Sequence, residues 1–366
     1  MNSIKLKKVL IAITFIVCLF GIPTAFISRI SSPSLWIFSI SGLFFPLIIT
    51  SVLTLLIIWI LKWSKWALMP FFTLLICWQQ IHIILPLRFR QEFQSVKDHQ
   101  TLRILSWNVS RWDERNKQKR GGEGYRPLML DFIESSGADI LCLQEFFECT
   151  DPGLFPANIP ALKQRGYPYY YFYPSSIIVD GKFQYGLCIF SKYPLVNSFA
   201  FENLKGEHSE GVIFADIVFK KNVLRVFNTH LESPGLNKND YSNEGKLKLS
   251  RSVFSKLKNS YQLRNLQAEQ AKLQIDNTPF PTIICADLGD VPNSYAYAKL
   301  KSGYQDAFLQ KGSGLGRTIS HLSPTLRIDY IFVQKKLKVK QFTTEQLPYS
   351  DHFPLITDIE IDTTFR

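Results

Sequence analysis

Residues 282–294 read TIICADLGDVPNS. Thr282, Ile283, Ile284 and Cys285 form a short β-branched apolar run, the composition of a buried strand. Asp287 and Asp290 follow at once, and Pro292 blocks any extension of the strand. An ionised carboxylate at the end of a buried strand is costly unless compensating groups meet it. The partners of Asp287 must come from elsewhere in the chain, which directs attention to the other strands.

From Leu102 onward the chain alternates short apolar runs with turns. LRILSWNV (102–109), DILCLQEF (139–146), GLCIFS (186–191), VLRVFNTHL (223–231), PTIICADL (281–288) and RIDYIFV (327–333) each have the length and composition of a strand. Helical stretches lie between some of them. Leu128–Ser135 follows Pro127, which suits a helix start. Leu247–Ile275 is longer and polar, with Leu263, Leu266, Ala268, Ala271 and Leu273 at helical spacing. Strands rich in Ile, Leu, Val and Phe mixed with helices predict a layered α/β arrangement, sheets inside and helices outside.

The first ninety residues differ in kind. They contain no Asp or Glu and eight Lys or Arg, so of 42 basic residues 34 remain for the rest of the chain, against all 30 acidic ones. Most of the formal charge of +12 therefore belongs to this segment, and the remainder, at a net +4, carries no nucleic-acid footprint in bulk. Three apolar stretches, Val9–Ile27, Leu35–Leu61 and Trp66–Leu87, are each long enough to cross about 30 Å of hydrocarbon as a helix. Trp36, Trp59, Trp63 and Trp66 fall near their ends, where amphipathic rings favour the interface. Lys5, Lys7 and Lys8 before an apolar core also have the form of a signal peptide. Two further spans follow directly, so residues 1–90 are read as an anchor of about three transmembrane helices, 91–101 as a linker and 102–366 as a separate domain. The basic residues flanking the spans favour a cytoplasmic N-terminus by a narrow margin, which puts the domain on the non-cytoplasmic side of a multi-pass membrane protein. The six cysteines show no C-x-x-C pair and no disulfide framework, and read as buried thiols.

Polar residues stand at the ends of the predicted strands. Asn108, Glu145, His230 and Asp287 close four of them, Asp329 opens a fifth, and Asp351 and His352 are adjacent near the C-terminus. Each alone has a plain structural reading as a cap, a solvated loop residue or a satisfied core histidine. Together they form an oxygen-rich set with two imidazoles. Hard cations such as magnesium take oxygen ligands and are held by one or two carboxylates with substrate phosphate. Zinc would need closer-spaced His or Cys. A histidine beside a carboxylate can hold a proton near neutral pH. Neither a G-x-x-x-x-G-K-[ST] phosphate loop nor a G-x-S-x-G elbow is present, which argues against a nucleotide triphosphatase and a serine hydrolase.

The order SWN, LQE, NTHL, ADLGDVPNS, RIDYI and SDHFP resembles the endonuclease/exonuclease/phosphatase superfamily of metal-dependent phosphoesterases, in a membrane-anchored, bacterial-type form. The resemblance runs from Leu102 to Ile361. It implies a four-layered α/β sandwich, two packed mixed β-sheets flanked by helices, preceded here by a transmembrane helical region. It implies Glu145 as the main ligand of Mg²⁺, with Mn²⁺ as the alternative, Asn108 beside metal and phosphate, and Asp351 helping to hold the ion. His230 would stabilise the phosphate, Asp287 would orient or deprotonate the attacking water, and His352 would act paired with Asp329. One position departs from the family pattern: where an Asn usually binds phosphate, this chain has Gly289. That opens an alternative reading as a catalytically weakened phosphate-binding scaffold.

The implied activity is hydrolysis of a phosphodiester or phosphomonoester next to the lipid bilayer. A nuclease acting on DNA or RNA is the enzymatic alternative, motivated by Lys335, Lys336, Lys338 and Lys340. Lysines on an exposed edge strand also prevent aggregation, and that reading is preferred. The aromatic run from Tyr167 to Tyr173 is read as strand rather than as a stacking surface.

Overall fold

A computed structural model describes residues 2–31, 36, 40–89, 91–114, 122, 124–204, 206–236, 240, 250–320 and 325–361. Residues 35 and 37–39 of the second apolar stretch, residues 247–249 of the expected long helix, Arg90 and the C-terminal residues 362–366 lie outside that set.

The strands are β1 (Thr101–Asn108), β2 (Ile140–Cys149), β3 (Tyr169–Ile178), β4 (Phe183–Ser191), β5 (Leu195–Phe201), β6 (Gly211–Phe219), β7 (Asn222–His230), β8 (Thr282–Asp287), β9 (Tyr304–Asp306), β10 (Asp329–Gln334), β11 (Lys338–Thr344) and β12 (Leu355–Glu360). They form two six-stranded sheets, ordered β11-β12-β1-β2-β4-β3 and β5-β6-β7-β8-β10-β9. Each sheet is mixed, with one parallel pair at its centre, β1 with β2 and β7 with β8.

Strand alternation sorts the side chains into layers. Leu102 and Ile104 of β1 meet Leu224 and Val226 of β7, Ile283 and Cys285 of β8 and Ile331 of β10 in one core between the sheets. Leu105 and Trp107, on the opposite face of β1, join Met129, Leu130 and Ile133 of the helix Arg126–Ser135. Ile284 and Ala286 of β8 likewise face Ala268, Ala271 and Ile275 of the helix Arg251–Asp276. The domain is thus a four-layered sandwich, helices over sheet over sheet over helices. Because side chains repeat every second residue, Asn108, His230, Asp287 and Asp329 all fall on the inner faces, at the end where the sandwich opens.

Two helices are long and apolar enough to cross a membrane, Ile4–Arg29 and Ser41–Leu61. The third apolar stretch is not one straight helix: Lys65–Ile76 and Trp78–Ile84 meet at 60°, and count as a third span only if the bent pair is one. Trp59 donates its indole N–H to Thr14 Oγ1 at 2.9 Å, joining the first two helices through a buried contact.

This N-terminal unit sits on the sandwich rather than swinging from a tether. Arg327 donates to the Ile83 carbonyl at 2.8 Å and pairs with Asp306 at 2.6 Å, and Asn293 donates to the Thr24 carbonyl at 2.8 Å. Residues 91–100 hold neither helix nor strand but lie along the domain, where Gln94 and Ser95 accept from the buried Arg103, and Thr101 of the expected linker already belongs to β1. The lysine-bearing strand β11 is the outermost of its sheet, and all six cysteines are buried and free. The long helix corrects one expectation. Ala268 and Ala271 face the sheet, but Leu263, Leu266 and Leu273 are 45%, 54% and 63% exposed. The buried stripe runs instead through Arg264, Gln267, Ala268, Ala271 and Ile275, because two small alanines let the helix lie close while Arg264 and Gln267 reach the loops below.

Candidate active site

At the open end, Asp287 is nearly sealed from solvent at 2% exposure and collects its partners from both sheets. Asn108, the last residue of β1, donates its Nδ2–H to Asp287 Oδ2 at 2.9 Å. Gly289 donates its backbone N–H to Asp287 Oδ1 at 2.9 Å. His230 Nε2 stands 3.8 Å from Asp287 Oδ2, and His352 Nδ1 stands 3.6 Å from the same oxygen. Register explains the proximity of His230, which faces Asp287 directly across the parallel β7–β8 pair. Asp329 and Asp287 face each other across the antiparallel β8–β10 pair.

These contacts set the charges. Burial alone would push the Asp287 carboxyl up, but the two imidazoles, the Asn108 amide and the Gly289 N–H outweigh it and hold the group below its ordinary value. Burial pulls the His230 imidazolium down, yet the charges of Asp287 and Glu210 reverse this and lift it to about 9. His352 follows the same pattern, desolvation being overcome by Asp329 and Asp287, so its proton is held well above the usual range. Asp329 goes the other way: burial raises it to about 6, against the opposing pull of His352. At neutral pH the centre therefore holds an ionised Asp287 between two imidazolium rings.

His352 is oriented by its neighbours. Its Nδ1 faces both Asp329 oxygens, at 3.0 and 3.1 Å. Its backbone carbonyl accepts from Trp107 Nε1 at 2.9 Å, and Ser350 Oγ donates to the Asn108 carbonyl at 2.8 Å. The SDH turn is thereby pinned onto the end of β1.

Glu145 reaches the cleft by a different route. Simple alternation would turn it outward, since Ile140 and Cys142 of β2 face the inter-sheet core. The β2–β4 register breaks between Leu143 and Phe146, and Glu145 takes a left-handed φ of +47°. Such a bulge bends the strand and re-aims one side chain, here into the cleft. The Glu145 backbone N–H donates to Glu210 Oε2 at 2.8 Å, and Asn108 Nδ2 lies 3.3 Å from its Oε1. Arg111 Nε is 3.5 Å from the other carboxylate oxygen. Arg111 is placed by an unusual left-handed run, with φ of +43°, +57°, +59° and +58° at Ser110, Arg111, Trp112 and Asp113.

One cavity of about 460 Å³ is lined by Asn108, Glu145, His230, Asp287, Asp351 and His352 together. Asp329 stands behind His352 as its hydrogen-bond partner. All seven sequence-derived residues therefore converge on one place. The donor chemistry suits a hard cation: Glu145 and Asp351 offer carboxylate oxygens at the cleft wall, and Asn108 lies beside Glu145. Asp287, Asp329 and His352 also bring ligand atoms within 4.8 Å of one another. There, however, His352 Nδ1 is turned onto the Asp329 carboxylate, a position that a proton fills.

Two residues of the site, Glu210 and Arg264, were not found from the sequence, and a third, Asn228, was seen there only as a polar residue of its strand. Glu210 precedes β6 as an ordinary loop acid, yet its carboxylate joins the Glu145 backbone to His230 Nδ1 at 3.3 Å. Asn228 ties the sheets together behind the site by donating to the Leu143 and Cys188 carbonyls, each at 3.0 Å. Arg264 lies in the polar stretch 247–275 with no motif to mark it. It is buried, donates to the Glu232 carbonyl at 2.8 Å and pairs with Asp290 at 2.7 Å. Its Nη2 is buried without a hydrogen-bond partner among the described residues. That atom lies 3.7 Å from where a Gly289 Cβ would be, so the orphaned donor occupies the surroundings of the missing Asn side chain.

Comparisons with known proteins agree with this geometry. A model of the Endonuclease/Exonuclease/phosphatase family matches residues 105–352. A second model, for a domain of unknown function, matches residues 7–84. No curated protein matches the chain. Among solved structures, an endonuclease/exonuclease/phosphatase from Beutenbergia cavernae is 18% identical with a TM-score of 0.51, over 71% of this chain and 72% of that one. One from Bacteroides vulgatus is also 18% identical with a TM-score of 0.51, over 72% and 99%. A humanized D. rerio TDP2 is 21% identical with a TM-score of 0.50, over 72% and 100%. These likenesses show the fold. With the family model spanning most of the sandwich, they establish that the chain belongs to the endonuclease/exonuclease/phosphatase family of phosphoester hydrolases.

Proposed function

We propose that the protein is a membrane-anchored, Mg²⁺-dependent phosphoesterase that cleaves its substrate by attack of water. The observation that carries this reading is the convergence of Asn108 of one sheet and His352 of the loop before β12 with His230 and Asp287 of the other sheet on a single carboxylate-centred cluster. Exposed apolar residues along the two long helices, such as Leu6, Leu19, Leu47 and Leu53, support the anchor.

Asp287, kept ionised, accepts the proton of the attacking water at a carboxylate oxygen as the water oxygen bonds to phosphorus and the P–O bond to the leaving group breaks, the leaving oxygen taking its proton from solvent. His230 and His352, kept protonated, donate to the phosphoryl oxygens and offset the charge that grows there. Asp329 and Glu210 hold the two rings in place. Glu145 and Asp351, with Asn108 alongside, would hold the divalent ion, which when bound supplies Lewis-acid polarisation of a phosphoryl oxygen. Arg264 supplies a hydrogen-bond donor where Gly289 has none, which favours an active enzyme over a vestigial scaffold. At β11, Lys338 and Lys340 both pair with Glu360 at 3.4 Å, which favours the edge-strand role of that lysine run over a nucleic-acid contact.

The test is hydrolysis by the full-length protein in phosphatidylcholine nanodiscs, with and without Mg²⁺, of a phosphodiester, a phosphomonoester and DNA. The expected result is Mg²⁺-dependent release from a phosphoester. Glu145→Ala and His352→Ala each lower the rate by about 10²–10³-fold. Full activity in both variants would overturn the assignment, and DNA as the preferred substrate would favour the nuclease.

A further inference from the structure

The cavity that holds the catalytic groups is not polar throughout. Beyond them its wall is made by Ile40, Leu43, Leu236, Leu257, Ile319 and Leu326. Ile40 and Leu43 do not belong to the sandwich: Ile40 immediately precedes the second membrane-compatible helix, Ser41–Leu61, and Leu43 lies in its first turn. The active-site cleft is thus closed on one side by the anchor itself.

This junction is tightly built. A Cβ on Gly42 would meet the Asn293 carbonyl oxygen at 2.8 Å, closer than real contacts allow, so only glycine permits this approach of anchor to catalytic loop. Asn293 belongs to the same DVPNS turn that follows Asp287, and its side chain donates to the Thr24 carbonyl in the first helix. Nearby, Ser31 at the end of the first helical segment shares a second groove with Leu263 and Leu266, whose side chains are exposed on the outer face of the long helix. Tyr261 lines both this groove and the catalytic cleft, so the two adjoin where the anchor meets the long helix.

Resting on the phosphoesterase reading, we infer that the substrate is an amphiphile. Its phosphoester lies among the catalytic groups and its hydrocarbon arm lies over Ile40 and Leu43, leading toward the bilayer. A small water-soluble phosphoester would leave that apolar wall facing water, whereas a hydrocarbon arm removes both surfaces from water. Each buried methylene then strengthens binding by about three- to fourfold. Binding of this uniform kind appears in kcat/KM.

The experiment uses the full-length protein in phosphatidylcholine nanodiscs with Mg²⁺ and p-nitrophenyl alkyl phosphates carrying methyl, butyl and hexyl arms. The leaving group is the same in all three. The expected result is a rise in kcat/KM of at least 10-fold from methyl to hexyl. Leu43→Asn and Leu257→Asn, on two different elements, each flatten that slope. Both variants face the same bilayer as the wild type, so a lost slope cannot arise from partitioning of the ester into lipid. Equal kcat/KM for all arms, or an unaltered slope in both variants, overturns the amphiphile assignment while leaving phosphoester hydrolysis standing. No Mg²⁺-dependent hydrolysis of any member of the series overturns both.

Discussion

Asn108 and Asp287 join the two sheets of the sandwich: the amide at the end of β1 donates to the carboxylate at the end of β8 at 2.9 Å. Neither residue has a compensating partner within its own strand. Each is stabilised because the other sheet brings a complementary group to the rim, and the two imidazoles, with this contact added, keep Asp287 ionised.

That relationship makes Asp287 the most sensitive position for chemistry. Asp287→Asn keeps the shape and removes the proton acceptor, so kcat falls by about 10²–10⁴-fold. The measurement is steady-state hydrolysis of a chromogenic phosphodiester. A loss confined to KM would place Asp287 in binding instead.

Arg264 and Gly289 are expected to be coupled. Arg264→Gln removes the orphaned donor and lowers kcat on the order of 10²-fold. Asn tolerates a left-handed φ such as the +58° of Gly289, and a Cβ there meets its neighbours no closer than 3.6 Å. Gly289→Asn therefore folds and recovers part of the lost rate in the Arg264→Gln background. A double-mutant cycle in kcat checks this, and strictly additive effects would show that the two positions do not share a role.

The His230 proton contributes to stability in a defined window. The folded value, about 9, lies above the ordinary 6.5, so the contribution is fully present below pH 6.5 and is lost as pH rises through about 9. Thermal unfolding in EDTA, for wild type and His230→Asn, is expected to show a difference in Tm that narrows between these limits. A difference constant from pH 6 to pH 10 would contradict the paired, protonated ring.

Gly42→Ala tests the junction between anchor and catalytic loop. Overpacking against the Asn293 carbonyl costs about 1–3 kcal/mol, read as a lower Tm of the full-length protein. An unchanged Tm would mean the two segments are not held together.

Much of this architecture was legible because strands at the sandwich core announce themselves. Runs such as PTIICADL and VLRVFNTHL combine β-branched composition with polar residues at the rim, and a period of two predicts which of those point inward. The position of Glu145 was not legible in the same way, because a bulge defeats alternation and no residue pattern in LQEF marks one. Glu210 and Arg264 escaped notice for a related reason. Their roles come from tertiary contacts made across long sequence separations, and each resembles a surface residue when read locally. The leucines of the long helix misled in the opposite sense. Leu263 and Leu266 read as core but lie outside, in a groove beside Ser31 at the end of the first helix.

The central claim is that groups from both sheets converge to hold one divalent ion and one phosphoester. Crystals of the full-length protein grown with Mn²⁺ test it most directly through anomalous scattering. A single peak within about 2.3 Å of a Glu145 carboxylate oxygen, at the rim shared with Asp351, is the result expected. A peak seated among Asp287, Asp329 and His352 with none at Glu145, or no peak at all, would contradict it.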